Sequence, residues 1–500
     1  MRFVLQDERL IPTFSVHEGL PISQHQTLPH TPLNKQFNYS TQLQQHLYGK
    51  ELLLAEIPFP LETLHEHVNH GYVQLSHGIT KQNYIYICKR CGSDTQSLFA
   101  SFACSRCGED HCHYCRNCIM MGRVSECTPF YRWVGPEITE KTEVLFDWEG
   151  ELSQGQAYAS KEVVTAIQGN RELLVWAVCG AGKTEVLFKG LEYSLLQGKR
   201  VCIATPRTDV VLELTPRLKK VFPNTKIAAL YGGSEDRQRY ANLYISTTHQ
   251  LLRFKEAFDV IIVDEVDAFP YSMDKSLQYA VQKARKQISS LIYLTATPSK
   301  QWKKEVQQNK RQAVKIPARY HGHPLPVPTF IWCGNWQKRL KKKTLPQIVL
   351  KWLENQLNSK KQAFLFVPSV AIIDNVVDIC RHYDERIEGV HAEDKQRKEK
   401  VQRFRNGEIP IIVTSTILER GVTIPNSDVA VLGSEDDIFT ESALVQIAGR
   451  VGRSAKYPTG AVLFFHFGKT KAMVEARKNV KQMNEMARKS METMDSSFNK

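Results

Sequence analysis

Residues 177–184 read AVCGAGKT. Small residues and glycines closed by Lys-Thr suit a loop whose backbone N–H groups wrap a phosphate. In such a loop Lys183 reaches the β- and γ-phosphates and Thr184 ligates Mg2+. The whole run Ala177, Val178, Cys179, Gly180, Ala181, Gly182, Lys183 and Thr184 is therefore the expected ATP-binding loop, although Ala177 stands where glycine is usual. A carboxylate element, DEVD at 264–267, closes the apolar run FDVIIV. Asp264 is placed to hold the Mg2+ through water, and Glu265 to polarise an attacking water. QIAGRVGR at 446–453 sets Arg450 and Arg453 one helical turn apart, with Gln446 at its start. These arginines match the charge that develops on a γ-phosphate during transfer.

Such chemistry requires a buried strand before the loop and a helix after it. LLVWAV supplies the strand, and TEVLFKGLEYSLLQG supplies the helix, stopped at Gly198. The same alternation runs on through RVCIATP, LYISTT, FDVIIVDE and SLIYLTATP. It lapses in a Pro-bearing stretch from Ile316 to the basic run KRLKKK, then resumes in AFLFVPS, IPIIVTST, DVAVLG and AVLFFHF. Short β-branched strands alternating with helices read as α/β, with two parallel-sheet lobes. The expected domains are an N-terminal region (1–80) without a catalytic pattern, a cysteine module (81–130), a first lobe (131–310), a linker (311–345), a second lobe (346–475) and a C-terminal helix or tail (476–500).

Of twelve cysteines, eight fall between residues 88 and 127. CxxC pairs in a large chain read as metal ligands rather than disulfides. Two CxxCG knuckles suggest one closed, tetrahedral Zn2+ site from Cys88, Cys91, Cys104 and Cys107. Cys112, Cys115, Cys118 and Cys127 suggest a second, with ligand exchange between the groups, or free cysteines, left open. Such a module staples a fold and offers a surface for DNA or a protein. Cys202, Cys333 and Cys380 read as core residues, and Cys179, inside the loop, as a thiol open to reaction.

Lys and Arg number 66 against 52 Asp and Glu, a net charge of +14. That surplus favours a polyanionic partner. There is no apolar run of about eighteen residues for a membrane-spanning helix. The first residues, MRFVLQDERLIPTF, carry charge where a signal peptide needs an apolar core. A cytoplasmic protein is expected.

Residues 150–470 resemble the superfamily 2 helicases and translocases. Gln156 stands where that family reads the adenine. ATPRTDVVLEL (204–214) resembles motif Ia, with Arg207 facing a nucleic-acid strand, and ISTTHQLLRF (245–254) resembles motif Ib, with Thr248. DEVD is motif II, and TAT (295–297) is motif III. The resemblance assigns Asp267, Thr295 and Thr297 to coupling hydrolysis with movement. TSTILERGVTIP (414–425) resembles motif V, with Thr416 and Arg420 as DNA contacts. It implies two RecA-like lobes with ATP in the cleft between them. QIAGR resembles the DNA-acting group that includes the primosomal restart helicase, which favours DNA over RNA.

The N-terminal cysteines, with CRNCIMMGR, PRTDVVLEL, DEVDAFP and ERGVTIP, narrow this to a resemblance to the late-competence helicase-like ATPases, the ComFA family. It implies an ATPase stimulated by single-stranded DNA that drives import of transforming DNA. The implied partners are the competence DNA-uptake channel and associated competence proteins at the inner face of the cell membrane, so that membrane association comes only through partners. A replication-restart helicase is the nearest rival, but its cysteines sit within the helicase region. An RNA helicase is disfavoured by QIAGR. A non-hydrolysing scaffold is disfavoured by the intact Lys183, Thr184, Asp264, Glu265, Arg450 and Arg453.

Overall fold

The computed structural model describes residues 1–498 apart from 8, 14, 16, 140–142 and 417–423, and the backbone alone for 491–498. The chain forms two compact units. One comprises Met1–Glu149, Val164–Glu172 and Lys189–Tyr293; the other comprises Gly150–Val163, Leu173–Phe188 and Leu294–Lys500.

The N-terminal part of the first unit opens with a hairpin, β1 (Arg2–Gln6) and β2 (Arg9–Thr13). Then come α1 (Thr41–Leu47), β3 (Glu51–Leu53), α2 (Leu61–Asn69) and β4 (Val73–His77). Two short hairpins follow, β5 (Ile79–Gln82) with β6 (Ile85–Cys88), and β7 (Phe99–Phe102) with β8 (Cys112–Cys115). The chain then returns as β9 (Pro129–Trp133), the central strand of an antiparallel sheet in the order β3-β9-β4. Phe3, Leu43, Leu47, Leu64, Tyr131 and Trp133 share its core. This changes the expected division at residue 80. The region without a catalytic pattern is a folded domain, and the cysteine module is inserted between two of its neighbouring strands.

A seven-stranded sheet follows, in the order β12-β13-β11-β14-β15-β10-β16. Its elements are α3 (Gln154–Gln168), β10 (Glu172–Ala177), α4 (Lys183–Leu196), β11 (Val201–Thr205), α5 (Thr208–Val221), β12 (Ile227–Leu230), β13 (Leu243–Thr247), β14 (Phe258–Val263), α6 (Lys275–Ala284), β15 (Arg285–Thr295), α7 (Lys300–Gln307) and β16 (Ala313–Ile316). The pairs β10–β16, β11–β13, β11–β14, β12–β13 and β14–β15 within it are parallel. Its strands are near-continuous apolar runs because a parallel sheet is covered on both faces.

The second lobe holds β17 (Thr329–Trp332), α8 (Trp336–Lys341), α9 (Gln347–Ser359), β18 (Gln362–Phe366), α10 (Ile373–Arg381), β19 (Glu388–Val390), α11 (Arg397–Arg405), β20 (Ile411–Thr414), β21 (Ser427–Leu432), α12 (Glu441–Ala448), β22 (Val462–His466) and α13 (Lys471–Phe498). Its six-stranded parallel sheet runs β17-β22-β21-β18-β20-β19. Along β18 the side chains alternate between two cores. Phe364 and Phe366 face one; Ala363 and Leu365 face the other. The fold class is therefore α/β, two RecA-like parallel-sheet lobes preceded by a cysteine-bearing domain.

The expected linker at 311–345 is not structureless. β16 pairs with β10, and β17 pairs with β22. The basic run lies mostly in α8. Its prolines confine regular structure to the flanks, because proline lacks the N–H a strand interior needs. Among the described residues no helix is long and apolar enough to cross a membrane.

Candidate functional site

The phosphate loop lies within the second unit. β10 is buried at Leu173, Leu174, Val175 and Ala177, and α4 begins at Lys183. Residues 178–182 thus join a strand's carboxyl end to a helix N-terminus, whose first N–H groups have no intrahelical partner. Lys183 and Thr184 occupy the first turn of α4, half-buried. Val178 N–H donates to Ile316 O at 3.1 Å, and Ala181 N–H to Val178 O at 3.2 Å, which fixes the loop's curve. Gln156, on α3 and 4% exposed, holds the loop from the other side. Its Nε2 donates to Ala181 O at 2.9 Å, and its Oε1 accepts from Ser153 N–H at 2.8 Å. Both polar atoms of the amide expected to read adenine are thus engaged by backbone, one of them by the phosphate loop itself.

QIAGRVGR belongs to the same unit and packs directly on this loop. Thr440 caps α12, and the helix is buried from Ala443 to Ala448. Cys179 Sγ donates to Gln446 Oε1 at 3.1 Å. Gly449 makes the approach possible, since a Cβ there would stand 2.7 Å from Cys179 Sγ. Cys179 is 5% exposed. This corrects the expectation of a reactive thiol: it is a packed, hydrogen-bonded contact. Arg453 is half-buried, and its Nε donates to Gly449 O at 3.0 Å. Arg450 is 2% exposed, with its guanidinium 5.3 Å from the Phe364 ring centre. The two arginines therefore occupy different settings, Arg450 against the second-lobe core and Arg453 nearer the surface. Thr297 N–H donates to Thr295 Oγ1 at 2.9 Å, and Thr297 Oγ1 donates to Ser442 Oγ at 2.9 Å. Motif III is thereby hydrogen-bonded to the first turn of the motif VI helix.

The carboxylates lie in the first unit, just beyond β14. Asp264 N–H donates to Ala204 O at 2.8 Å, which continues the β11–β14 ladder by one residue. Glu265 N–H donates to Asp264 Oδ1 at 2.8 Å. Glu265 itself takes φ 57°, a left-handed turn that ends the strand. Asp267 is half-buried two residues on. Arg207 is the half-buried N-cap position of α5. Thr248 is fully buried at the start of the short helix Thr248–Arg253, so its side chain is part of the lobe's interior. This corrects its assignment as a DNA contact. Thr416 is partly exposed beyond β20. Arg420 lies outside the described residues.

The cysteines form two buried clusters, but not as their spacing suggested. One holds Cys88, Cys91, Cys115 and Cys118; the other holds Cys104, Cys107, Cys112 and Cys127. The cause is the local conformation of CHYC. In CKRCG and CSRCG the chain turns, with Gly92 and Gly108 N–H donating to Cys88 O and Cys104 O at 2.8 Å. CHYC is instead strand β8, paired with β7. Three strand steps of roughly 3.3 Å carry Cys112 and Cys115 about 10 Å apart, and the odd spacing turns them to opposite faces. Each cysteine therefore joins a different knuckle. Within the clusters Cys88–Cys118, Cys91–Cys115 and Cys104–Cys127 sulfurs lie 3.7 Å apart. A tetrahedron of thiolates about 2.3 Å from zinc has edges of about 3.8 Å. Both clusters fit that ion.

The first cluster is tied to the motor lobe. Arg90, between Cys88 and Cys91, is fully buried. Its Nη2 donates to Glu56 Oε2 at 2.7 Å, and Glu56 Oε1 accepts from Arg253 Nε at 2.6 Å. Nearby, Glu51 accepts from Lys255 at 3.0 Å and lies 3.5 Å from Lys283. Burial opposes the Glu51 charge, but Lys283 and Lys255 outweigh it and hold the carboxyl below its usual range.

Two parallel-sheet lobes, a phosphate loop, DEVD and QIAGRVGR define the class: a superfamily 2 DNA-dependent ATPase. The fold is shared with S. cerevisiae Dbp5 bound to RNA and ADP BeF3, at a TM-score of 0.50 and 13% identity over 66% of this chain and 91% of that one. Three family models match in order: the competence protein ComFA N-terminal domain at residues 34–132, the type III restriction enzyme res subunit at 149–300, and the helicase conserved C-terminal domain at 341–455. The chain is 51% identical to Competence protein ComFA of Bacillus subtilis (strain 168) over 92% of its own length and 98% of that protein's. It is 39% identical to Competence protein ComFA of Streptococcus pneumoniae over 75% of its length and 86% of that protein's. The chain belongs to the ComFA family.

Proposed function

We propose that this protein is an ATP-driven translocase on single-stranded DNA that works in DNA uptake during competence. The observation that carries this is the near full-length likeness to the competence proteins, with every charged residue of the nucleotide motifs retained. Lys183 binds the β- and γ-phosphates. Thr184 and Asp264 hold Mg2+, which neutralises charge on the triphosphate. Glu265 orients the attacking water and accepts its proton. Arg453, with Arg450 behind it, supplies positive charge from motif VI. The hydrogen bond that Thr297 donates to Ser442 is a physical link through which motif III and motif VI respond together, and Asp267 belongs to the same coupling set. Gln156 acts through the loop backbone it already holds, and adenine recognition requires its amide to exchange one of those partners.

Arg207, Thr416 and Arg420 contact the DNA backbone, which positions a strand without reading its sequence. The eight thiolates hold two structural zinc ions, with no open coordination position for catalysis. The surplus of basic residues suits a polyanion, and contact with the membrane comes through the uptake channel and its associated competence proteins. The test is steady-state ATP turnover by the zinc-replete protein with no nucleic acid, single-stranded DNA, duplex DNA or single-stranded RNA. Single-stranded DNA should stimulate most. Equal or better stimulation by RNA would overturn the substrate assignment, and absence of turnover under every condition would overturn the motor.

A further inference from the structure

No sequence motif drew attention to Arg319, in the segment PARYHGHP after β16. It is among the largest fully buried side chains of the protein, 1% exposed. It packs along the phosphate loop. A Cβ on Gly180 would meet its Cγ, Cδ and Nε at 3.7, 3.8 and 3.9 Å. Tyr320 N–H donates to Gly180 O at 3.1 Å, which holds the two segments in register. On the other side Arg319 Nη1 donates to Gly452 O, the carbonyl between Val451 and Arg453, and His321 Nε2 lies 3.1 Å from the same oxygen. All these residues lie in one compact unit.

The guanidinium is not satisfied by this setting. Its Nε and Nη2 are buried without a hydrogen-bond partner among the described residues. The nearby guanidinium of Arg453 is a like charge. Burial draws the Arg319 pKa down to about 10, with Cys179 opposing and Arg453 adding to that. A buried guanidinium with no counter-ion is destabilising unless an anion meets it. A phosphate, like a carboxylate, presents paired oxygens that match two adjacent guanidinium N–H groups, and the contact of Arg319 with the phosphate loop at Gly180 makes phosphate the anion that would reach it. The location points to one phosphate in particular. Lys183 and Thr184 begin the helix, whereas Cys179–Gly180 is where motif VI packs, through Gln446 and Gly449. Arg319 and Arg453 approach that same end.

We propose that Arg319 is a further catalytic residue of ATP hydrolysis, donating from Nε and Nη2 to the terminal phosphate beside Cys179–Gly180. The proposal rests on the ATPase reading. In the step it serves, a water oxygen bonds to the γ-phosphorus while the bond to the β–γ bridging oxygen breaks. The electron pair leaves with ADP, and the water proton passes to Glu265. Charge spreads over the γ-phosphate oxygens, where a pre-positioned guanidinium stabilises it.

The experiment compares the full-length protein with its Arg319→Ala, Arg319→Lys and Arg319→Gln variants. Three quantities are read: turnover with saturating single-stranded DNA, affinity for ADP, and affinity for the non-hydrolysable analogue AMP-PNP. Arg319→Ala should lower turnover about 100-fold or more. It should weaken AMP-PNP about tenfold while leaving ADP within about twofold. Arg319→Lys, which keeps the charge but not the fork, should fall between. Unchanged turnover would overturn the proposal. So would an equal loss of ADP and AMP-PNP, which would mark Arg319 as a clamp that only shapes the loop. If Arg319→Ala does not fold, the ADP to AMP-PNP ratio in the Lys and Gln variants decides in the same way. Lys183→Ala serves as the control: turnover equal to wild type in that variant would defeat the ATPase reading itself, whatever Arg319 does.

Discussion

The phosphate loop and the cysteine module carry equally conspicuous motifs, yet their residues relate to sequence in different ways. In the loop, neighbours in sequence are neighbours in space, because one strand, one turn and one helix N-terminus make the cradle. In the module, Cys112 and Cys115 are three residues apart and belong to different clusters. A turn gathers such a pair; a strand separates it. Ligand type can be read from composition, whereas ligand grouping depends on the conformation of the residues between.

The largest expected effect separates the two regions outright. Lys183→Ala should lower ATP turnover about 100-fold or more, with zinc content and single-stranded DNA binding largely unchanged. Turnover and metal content measured on the same preparation check this. A variant that lost metal together with turnover would mean that the two regions do not act independently.

The grouping itself can be broken next. Wild type should carry two zinc ions per chain. Cys88→Ala with Cys115→Ala removes ligands from one cluster and should cost one ion. Cys88→Ala with Cys104→Ala removes ligands from both and should cost two. The grouping suggested by spacing gives the opposite result for each pair. Structural zinc contributes folding free energy on the order of 10 kcal/mol in small domains, so the second pair should also melt at the lower temperature. Metal analysis of the two double variants decides between the groupings.

Much of the motor is legible in the amino-acid sequence. LLVWAV (173–178), VIIV (260–263) and IPIIV (409–413) are continuous apolar runs, and their strands sit within covered parallel sheets. The acidic pair after β14 needed only its position at a strand end. Other features had no local signal. Residues 1–80 pair through β9, more than fifty positions from β4 in sequence, so their sheet has no contiguous pattern. Arg319 has no motif around it, and its setting is made by Gly180 and Gly452, which are remote from it in the chain. Thr248 fits the family pattern by type and spacing, but burial is a property of the folded lobe.

A smaller effect tests how the module is joined to the motor. Arg90 has no exposed side chain, and Glu56 holds both it and Arg253. Glu56→Gln leaves two guanidinium groups facing a neutral amide. Breaking a buried pair from one side costs about 3 kcal/mol or more. Chemical denaturation should register that loss, whereas the zinc content should stay at two, because Glu56 is not among the ligands. Loss of an ion from this variant would mean that the first cluster depends on the Arg90–Glu56–Arg253 chain.

The smallest expected effect concerns Lys50, at the same junction. Its side chain is buried, and Nζ donates to Arg237 O at 2.9 Å. Burial first, then the charges of Arg200 and Arg253, lower its pKa from 10.5 to about 7. Between those two values the unfolded chain binds a proton at this lysine that the folded chain does not. Unfolding free energy should therefore rise with pH across that window, by at most about 1.4 kcal/mol per pH unit. Below about pH 7 both states are protonated, and this contribution to the slope vanishes. Lys50→Met removes the group and should flatten the rise, with zinc content unaltered. Denaturation curves at pH 7, 8 and 9 for the two proteins measure the difference. Equal slopes would show that Lys50 keeps its charge at the junction, held by the Arg237 carbonyl.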